Sequence, residues 1–316
     1  MLHRSLVKVL CQEIIDEIID YLEDDIKSLL SCAQTCREFI PRAHSYIFRS
    51  VTTAISPQPD DQSTGSWNKS RNPPNVPNVP KIRIETLHEI VQARPELPYN
   101  IRALTLETKA DNAAWPSGDR KAFHIMSLLA RSTELFPAIS IFGDDSTYID
   151  RTEVDDDSNE SADDPYDRFP SHSEFKPRFW GPLVAPFITR LVLCDLDNVP
   201  IGIFLTCPQL RFLRVDSVSI NPEATFGVQE GQPQLEGFDF YDCYTVNRIF
   251  GLANLDGPHL DPSHLRSLNV SPRQEDYDIE YLTLMQAVGS SLENLVIDDI
   301  ECCRKIQPST SSLCFK

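Results

Sequence analysis

The side chains of this 316-residue chain that could do chemistry are a run of carboxylates near the N-terminus, seven histidines and nine cysteines. Glu13, Asp16, Glu17 and Asp20 recur at three- and four-residue intervals, which gathers them on one side of a helix as paired acid–base groups would require. They form the polar flank of an amphipathic segment, however, where charge is the ordinary solvent-facing complement of an apolar stripe. The histidines are dispersed, and no H-E-x-x-H, G-x-S-x-G or G-x-x-x-x-G-K-[ST] pattern occurs. The cysteines, at 11, 32, 36, 194, 207, 243, 302, 303 and 314, include no C-x-x-C pair, and adjacent Cys302 and Cys303 lack the spacer of a structural zinc site. An odd number of scattered thiols fits a reducing compartment, cytoplasmic or nuclear. The expectation is a non-enzyme: no catalytic residue, no metal and no cofactor.

The elements that carry these groups say more. Ile14, Ile15, Ile18, Ile19 and Leu22 recur with helical spacing, and Ile26, Leu29, Leu30, Ala33, Cys36 and Ile40 do so again. Asp24 and Asp25 break the pattern between them and supply an N-cap for the second helix. Pro41 ends that helix and suits the first turn of a third, RAHSYIFRSV. Three short helices bury too little surface to stand alone, so part of their apolar surface calls for a partner.

Residues 10 to 52 resemble the F-box family, whose pattern is Leu-Pro, then Glu-Ile with repeated Ile/Leu, then Val-Cys-basic-x-Trp. The matching positions are Leu10, Glu13, Ile14, Ile18, Leu22, Leu29, Leu30, Thr35, Cys36, Arg37 and Phe39. Two positions depart from it: Cys11 replaces the family's Pro, and Phe39 replaces its frequent Trp, keeping an aromatic ring but not the indole donor. The resemblance implies a surface that binds the Skp adaptor of a cullin-based ubiquitin ligase, formed by Leu10, Cys11, Ile14, Ile18, Ile19, Leu22, Leu29, Leu30, Cys36 and Phe39.

Composition limits the partners. A formal charge of −18 argues against nucleic acid, whose binding needs clustered Lys and Arg, and against anionic membranes. No apolar run approaches the roughly 18 residues of a membrane span. Lys8 interrupts the apolar N-terminus, so a cleaved signal is not expected. Residues 54–80, rich in Pro, Asn and Ser, read as a linker after a helical domain at 1–53. About residues 143–182 lies an insertion expected to be disordered, whose stretch 144–167 holds eleven acidic residues against one Arg.

The rest, 81–316, carries a repeat, L-x-x-L-x-L. Its copies are Ile101-Leu104-Leu106, Ile188-Leu191-Leu193, Leu210-Leu213-Val215, Leu235-Phe238-Phe240, Leu265-Leu268-Val270 and Leu292-Leu295-Ile297. Central positions 191, 213, 238, 268 and 295 are spaced like leucine-rich repeats, and CPQLRFL (207 to 213) resembles that family's repeat opening. The fold class is therefore α+β: an N-terminal three-helix F-box followed by an irregular leucine-rich-repeat-like α/β solenoid. Leu191, Leu213, Phe238, Leu268 and Leu295 should be core, NVPIGIFLTCP and EYLTLMQAVGSS the returning helices, and HIMSLLARSTELFPAISIF a further helix and strand.

Alternate residues should line an open strand face. Candidate contacts there are Arg190, Arg211, Arg214, Asp216, Asp239, Tyr241, Asp242, Arg266 and Asn269, with Arg214, Tyr241 and Tyr244 favoured because Arg and aromatics concentrate at interface hot spots. These resemblances together read as a substrate receptor that holds an unknown protein substrate near a transferred ubiquitin. The alternative is a non-ligase interaction scaffold on the same repeat fold. No polar capping repeat is evident at the C-terminus, so truncation or a covering partner is expected there.

Overall fold

The L-x-x-L-x-L copies become strands because each places apolar side chains two residues apart, the period at which a strand presents one face. A computed structural model describes residues 11–54, 81–107, 120–132, 138–143, 175–221, 233–241, 246–252, 259–271 and 278–297. At its N-terminus stand helices α1 (Gln12–Asp20), α2 (Ile26–Thr35) and α3 (Ile40–Ile47), with a 3-10 turn, Arg37–Phe39, before α3. The strands are β1 (Ser50–Ala54), β2 (Lys81–Arg83), β3 (Ala103–Glu107), β4 (Ala138–Phe142), β5 (Arg190–Pro200), β6 (Phe212–Asn221), β7 (Gly237–Tyr241), β8 (Ser267–Ser271) and β9 (Asn294–Ile297). They form one nine-stranded sheet in the order β2-β1-β3-β4-β5-β6-β7-β8-β9, every pairing parallel. The returning segments include α4 (Ile84–Ala93), α5 (Arg120–Ser132), a π-helical stretch (Phe175–Val184), α6 (Gly202–Leu205), α7 (Val246–Phe250) and α8 (Asp278–Val288). The protein is thus a mixed α/β chain: N-terminal helices followed by a parallel sheet with helices.

The repeat and the pairing register coincide. Leu104, Ile139, Leu191, Leu213, Phe238, Leu268 and Leu295 are successive partners, and Leu106, Ile141, Leu193, Val215, Phe240, Val270 and Ile297 form the next apolar row. The five residues of this row expected as core, Leu191, Leu213, Phe238, Leu268 and Leu295, are buried or, for Leu295, packed against the core. Burial alternates along β3, β4 and β6. A parallel sheet with helices on both faces is apolar throughout its strands. The alternation fits helices against one face and leaves the other only half-buried among the described residues.

Three boundaries differ from the sequence reading. Ser50–Ala54 is an interior strand, paired with both β2 and β3, so the helical module runs into the sheet and the linker starts after it. Phe48 packs against both the module's core and the sheet's core. The second difference is at the acidic insertion: Gly143 donates to the Cys194 carbonyl at 2.9 Å, and Phe179 and Trp180 are fully buried, so both ends of 143–182 belong to the fold. Trp180 Nε1 donates to the Ile203 carbonyl (3.2 Å) and Thr206 Oγ1 (3.1 Å), tying the π-helical stretch to α6. Residues 144–174, most of the linker, the C-terminal stretch 298–316, Leu10, Asp242 and Tyr244 lie outside the described residues. Third, α2 ends at Thr35, before Pro41, and α3 begins at Ile40 with Pro41 in its first turn.

Candidate docking face and strand-face cluster

Cys11 starts α1 at φ −70°, the value a proline ring would fix, and its carbonyl accepts from the Ile14 and Ile15 amides at 3.1 and 3.3 Å. Cys in place of Pro therefore leaves the start of the helix intact. From there α1 carries two apolar stripes about 100° apart. Ile15, Ile19 and Leu22 turn inward, while Ile14, Ile18 and Tyr21 turn outward.

The inward stripe meets α2 and α3. Ile19, Leu29, Ala43 and Ile47 form a small buried core, with Leu22, Cys32, Ala33, Phe39, Tyr46 and Phe48 packed on it. Asp25 caps α2, its carboxylate accepting from the Ser28 amide at 3.1 Å. Arg42 on α3 forks onto Asp20 at the end of α1, with Nε and Nη2 donating to Oδ1 and Oδ2 at 2.5 and 2.7 Å, and Tyr46 Oη donates to Oδ1 at 2.9 Å. The Arg42 hydrogen bonds hold the Asp20 carboxyl below its ordinary range. Asp20, read from the sequence as part of a solvated flank, is a tie between helices.

The outward stripe is left partly uncovered among the described residues. Ile14, Ile18, Tyr21 and Leu30 are 42, 45, 85 and 43% exposed, and they are four of the seven exposed large apolar side chains among the described residues. Of the expected docking residues, Ile14, Ile18 and Leu30 lie on this face and Cys11 beside its start is exposed. Leu22, Cys36 and Phe39 are half-buried. Ile19 and Leu29 do not belong to the docking face: both are 0% exposed and serve the module's own core. Tyr21 was missed, although its spacing from Ile14 and Ile18 continues the outward stripe.

The second group lies on the open strand face. Arg214, Asp239 and Asn269 are register partners on β6, β7 and β8. The Arg214 guanidinium sits 4.5 Å from the centre of the Tyr241 ring and 3.5 Å from the Asp216 carboxylate, and Asn269 Nδ2 donates to Tyr241 Oη at 2.6 Å. Arg190 stacks on exposed Phe212 at 5.0 Å. Burial raises the Asp239 carboxyl, an effect the Arg214 and Arg190 cations oppose. Arg214 and Tyr241 are therefore brought together. Arg211 and Arg266 sit one step before their strands and pair with Glu236 and Glu293, respectively.

Chemically, this face offers cations stacked on aromatics, a composition suited to holding a partner. The buried thiols are unsuited to nucleophilic work: burial pushes Cys194 and Cys207 well above the ordinary thiol range. Among the described residues no group of three or more His, Cys, Asp or Glu is placed to hold a metal ion, and no helix is long and apolar enough to cross a membrane. No family model, curated protein or solved structure matches the chain.

Proposed function

We propose that this protein is the substrate-recognition adaptor of a Skp-cullin-F-box ubiquitin ligase, acting in the cytoplasm or nucleus, with its N-terminal helices on the Skp-type adaptor and its strand face on a protein substrate. The observation that carries the reading is the exposed stripe Ile14, Ile18, Tyr21 and Leu30 over a module that already has its own core. An apolar stripe of this kind is what a helical partner covers. The resemblance of residues 10 to 52 to the F-box supplies the partner's identity. In this reading the 81–316 region is an irregular leucine-rich-repeat-like solenoid, a reading supported by the match between the L-x-x-L-x-L copies and the strand register. The protein performs no chemistry; it raises the local concentration of a target beside the transferred ubiquitin.

Burying the exposed part of four large side chains supplies a gross gain of about 4 kcal/mol or more, at about 1 kcal/mol or more for each half-covered side chain. Co-purification with a co-expressed Skp adaptor, at salt high enough to screen surface charge, tests the reading. The wild-type chain is expected to retain the adaptor, and the double variant Ile18→Asp/Leu30→Asp to lose it while remaining folded. A folded wild-type chain that fails to bind would reject the adaptor reading and leave a repeat scaffold. Adaptor binding without recruitment of a cullin would leave a non-ligase interaction protein.

A further inference from the structure

We propose that the strand face around β7 takes an arginine side chain from a basic segment of a partner protein, received by Asp239 and Asn269 between the rings of Phe212 and Tyr241. The proposal rests on the reading of this face as the substrate surface and names the chemistry it selects. Phe212 and Gly237 are register partners, and a Cβ on Gly237 would come within 2.5 Å of the Phe212 ring, so the missing side chain makes room for that ring on the strand face. Two residues further along, Arg214, Asp239 and Asn269 stand side by side on β6, β7 and β8, about 4.8 Å from strand to strand. Two residues beyond Asp239, Tyr241 touches both Arg214 and Asn269. A polar floor thus lies between two aromatic rings.

The polar groups of that floor are unequally satisfied. Asn269 spends Nδ2 on Tyr241 Oη, and its buried Oδ1 has no hydrogen-bond partner among the described residues. Asp239 is half-buried; burial raises its carboxyl, only the Arg214 and Arg190 charges oppose this, and no hydrogen bond reaches it among the described residues. The two cations are better met: Arg214 has the Asp216 carboxylate and the Tyr241 ring, although its buried Nε has no partner among the described residues, and Arg190 has the Phe212 ring. What the floor chiefly lacks is donors, for a carboxylate and an amide oxygen on adjacent strands. A guanidinium presents five N–H groups in a planar fork and can answer both, with its methylene stem against the rings. The charges of Arg190, Arg214, Asp216 and Asp239 cancel, so hydrogen bonding sets the local preference. At longer range the chain's formal charge of −18 draws a basic partner. The competing occupant is an acidic segment that reaches Arg190 and Arg214 Nε.

Random peptides displayed on phage distinguish the two. They are selected on the immobilised full-length chain at about 0.15 M salt, which screens charges further apart than about 8 Å. The retained peptides are expected to share an arginine. By fluorescence anisotropy, a retained peptide should bind Asp239→Asn at least tenfold more weakly than wild type, and lose as much when its arginine is replaced by citrulline. Glu236→Gln removes the same charge away from the floor and should change affinity less than twofold. Asp239→Ser takes the place of Asp239→Asn if circular dichroism shows that variant unfolded. Acidic retained peptides, equal affinity for wild type and the Asp239 variant, or no peptide retained above background by the folded chain would each overturn the proposal. No Skp adaptor is present in the selection, so failed adaptor co-purification rejects the ligase reading alone, and a failed selection rejects the arginine site alone.

Discussion

His44 Nδ1 accepts from Arg94 Nη1 at 3.0 Å, which joins α3 to the residue that follows α4. Burial, and then the Arg94 cation, hold the imidazole below its ordinary value of 6.5. The neutral ring is the one that fits: above about pH 6.5 folded and unfolded chains both keep it neutral and the full stability is present. As pH falls through that value, the unfolded chain takes up a proton that the folded chain resists, and stability is lost. The urea midpoint is expected to drop between about pH 7.5 and pH 5.5 by more in the wild type than in His44→Gln. An equal drop would show that the acid sensitivity lies elsewhere. Ser217 is another local cost, with φ at 51° and a buried Oγ that has no hydrogen-bond partner among the described residues. Left-handed backbone costs a non-glycine residue about 1–2 kcal/mol and an unsatisfied buried hydroxyl about 1–3, against about 1 for glycine's extra freedom when unfolded. Ser217→Gly is therefore expected to raise stability by about 1 kcal/mol, read as a higher denaturant midpoint at unchanged slope.

Neighbouring isoleucines of α1 have opposite duties. Ile19→Ala opens a cavity in the module's core and is expected to cost about 2–4 kcal/mol, whereas Ile18→Asp is expected to change stability by no more than about 0.5 kcal/mol, both read from denaturant unfolding. Equal losses at the two positions would contradict the inward and outward stripes. This distinction was only half legible in the sequence. Five apolar residues within nine positions announce an amphipathic helix, but adjacent Ile14 and Ile15 leave open which flank meets α2. The sheet was far more legible, because L-x-x-L-x-L fixes both the strand and the residues facing the core, and the register aligns the copies as written. What hid was structure without that signature. SVTTA, with one large apolar residue, became an interior strand because β2 and β3 supply its partners, and FKPRFWGPLV was obscured by its prolines and by the acidic stretch before it. The Asp20–Arg42–Tyr46 tie spans 26 residues, and no local pattern announces it.

Across the whole molecule, the continuous apolar rows and Phe48 join the helices to the sheet. Hydrogen exchange in denaturant is expected to show amides of α2 and of β5–β7 becoming exposed in a single transition; separate transitions would show that the module unfolds on its own. The direct passage from α3 through Phe48 into β1 has a geometric consequence. Five parallel pairings, each about 4.8 Å wide, separate β1 from the Arg214–Tyr241 cluster on β7, a span of about 24 Å. In the proposed assembly this span works as a ruler with no hinge at its origin: a target seated on β7 presents a narrow arc of its lysines to the ubiquitin donor. Lengthening the chain between Phe48 and Ser50 with glycine and serine would leave both ends bound yet widen that arc, changing which lysines are modified before it changes how tightly the target is held.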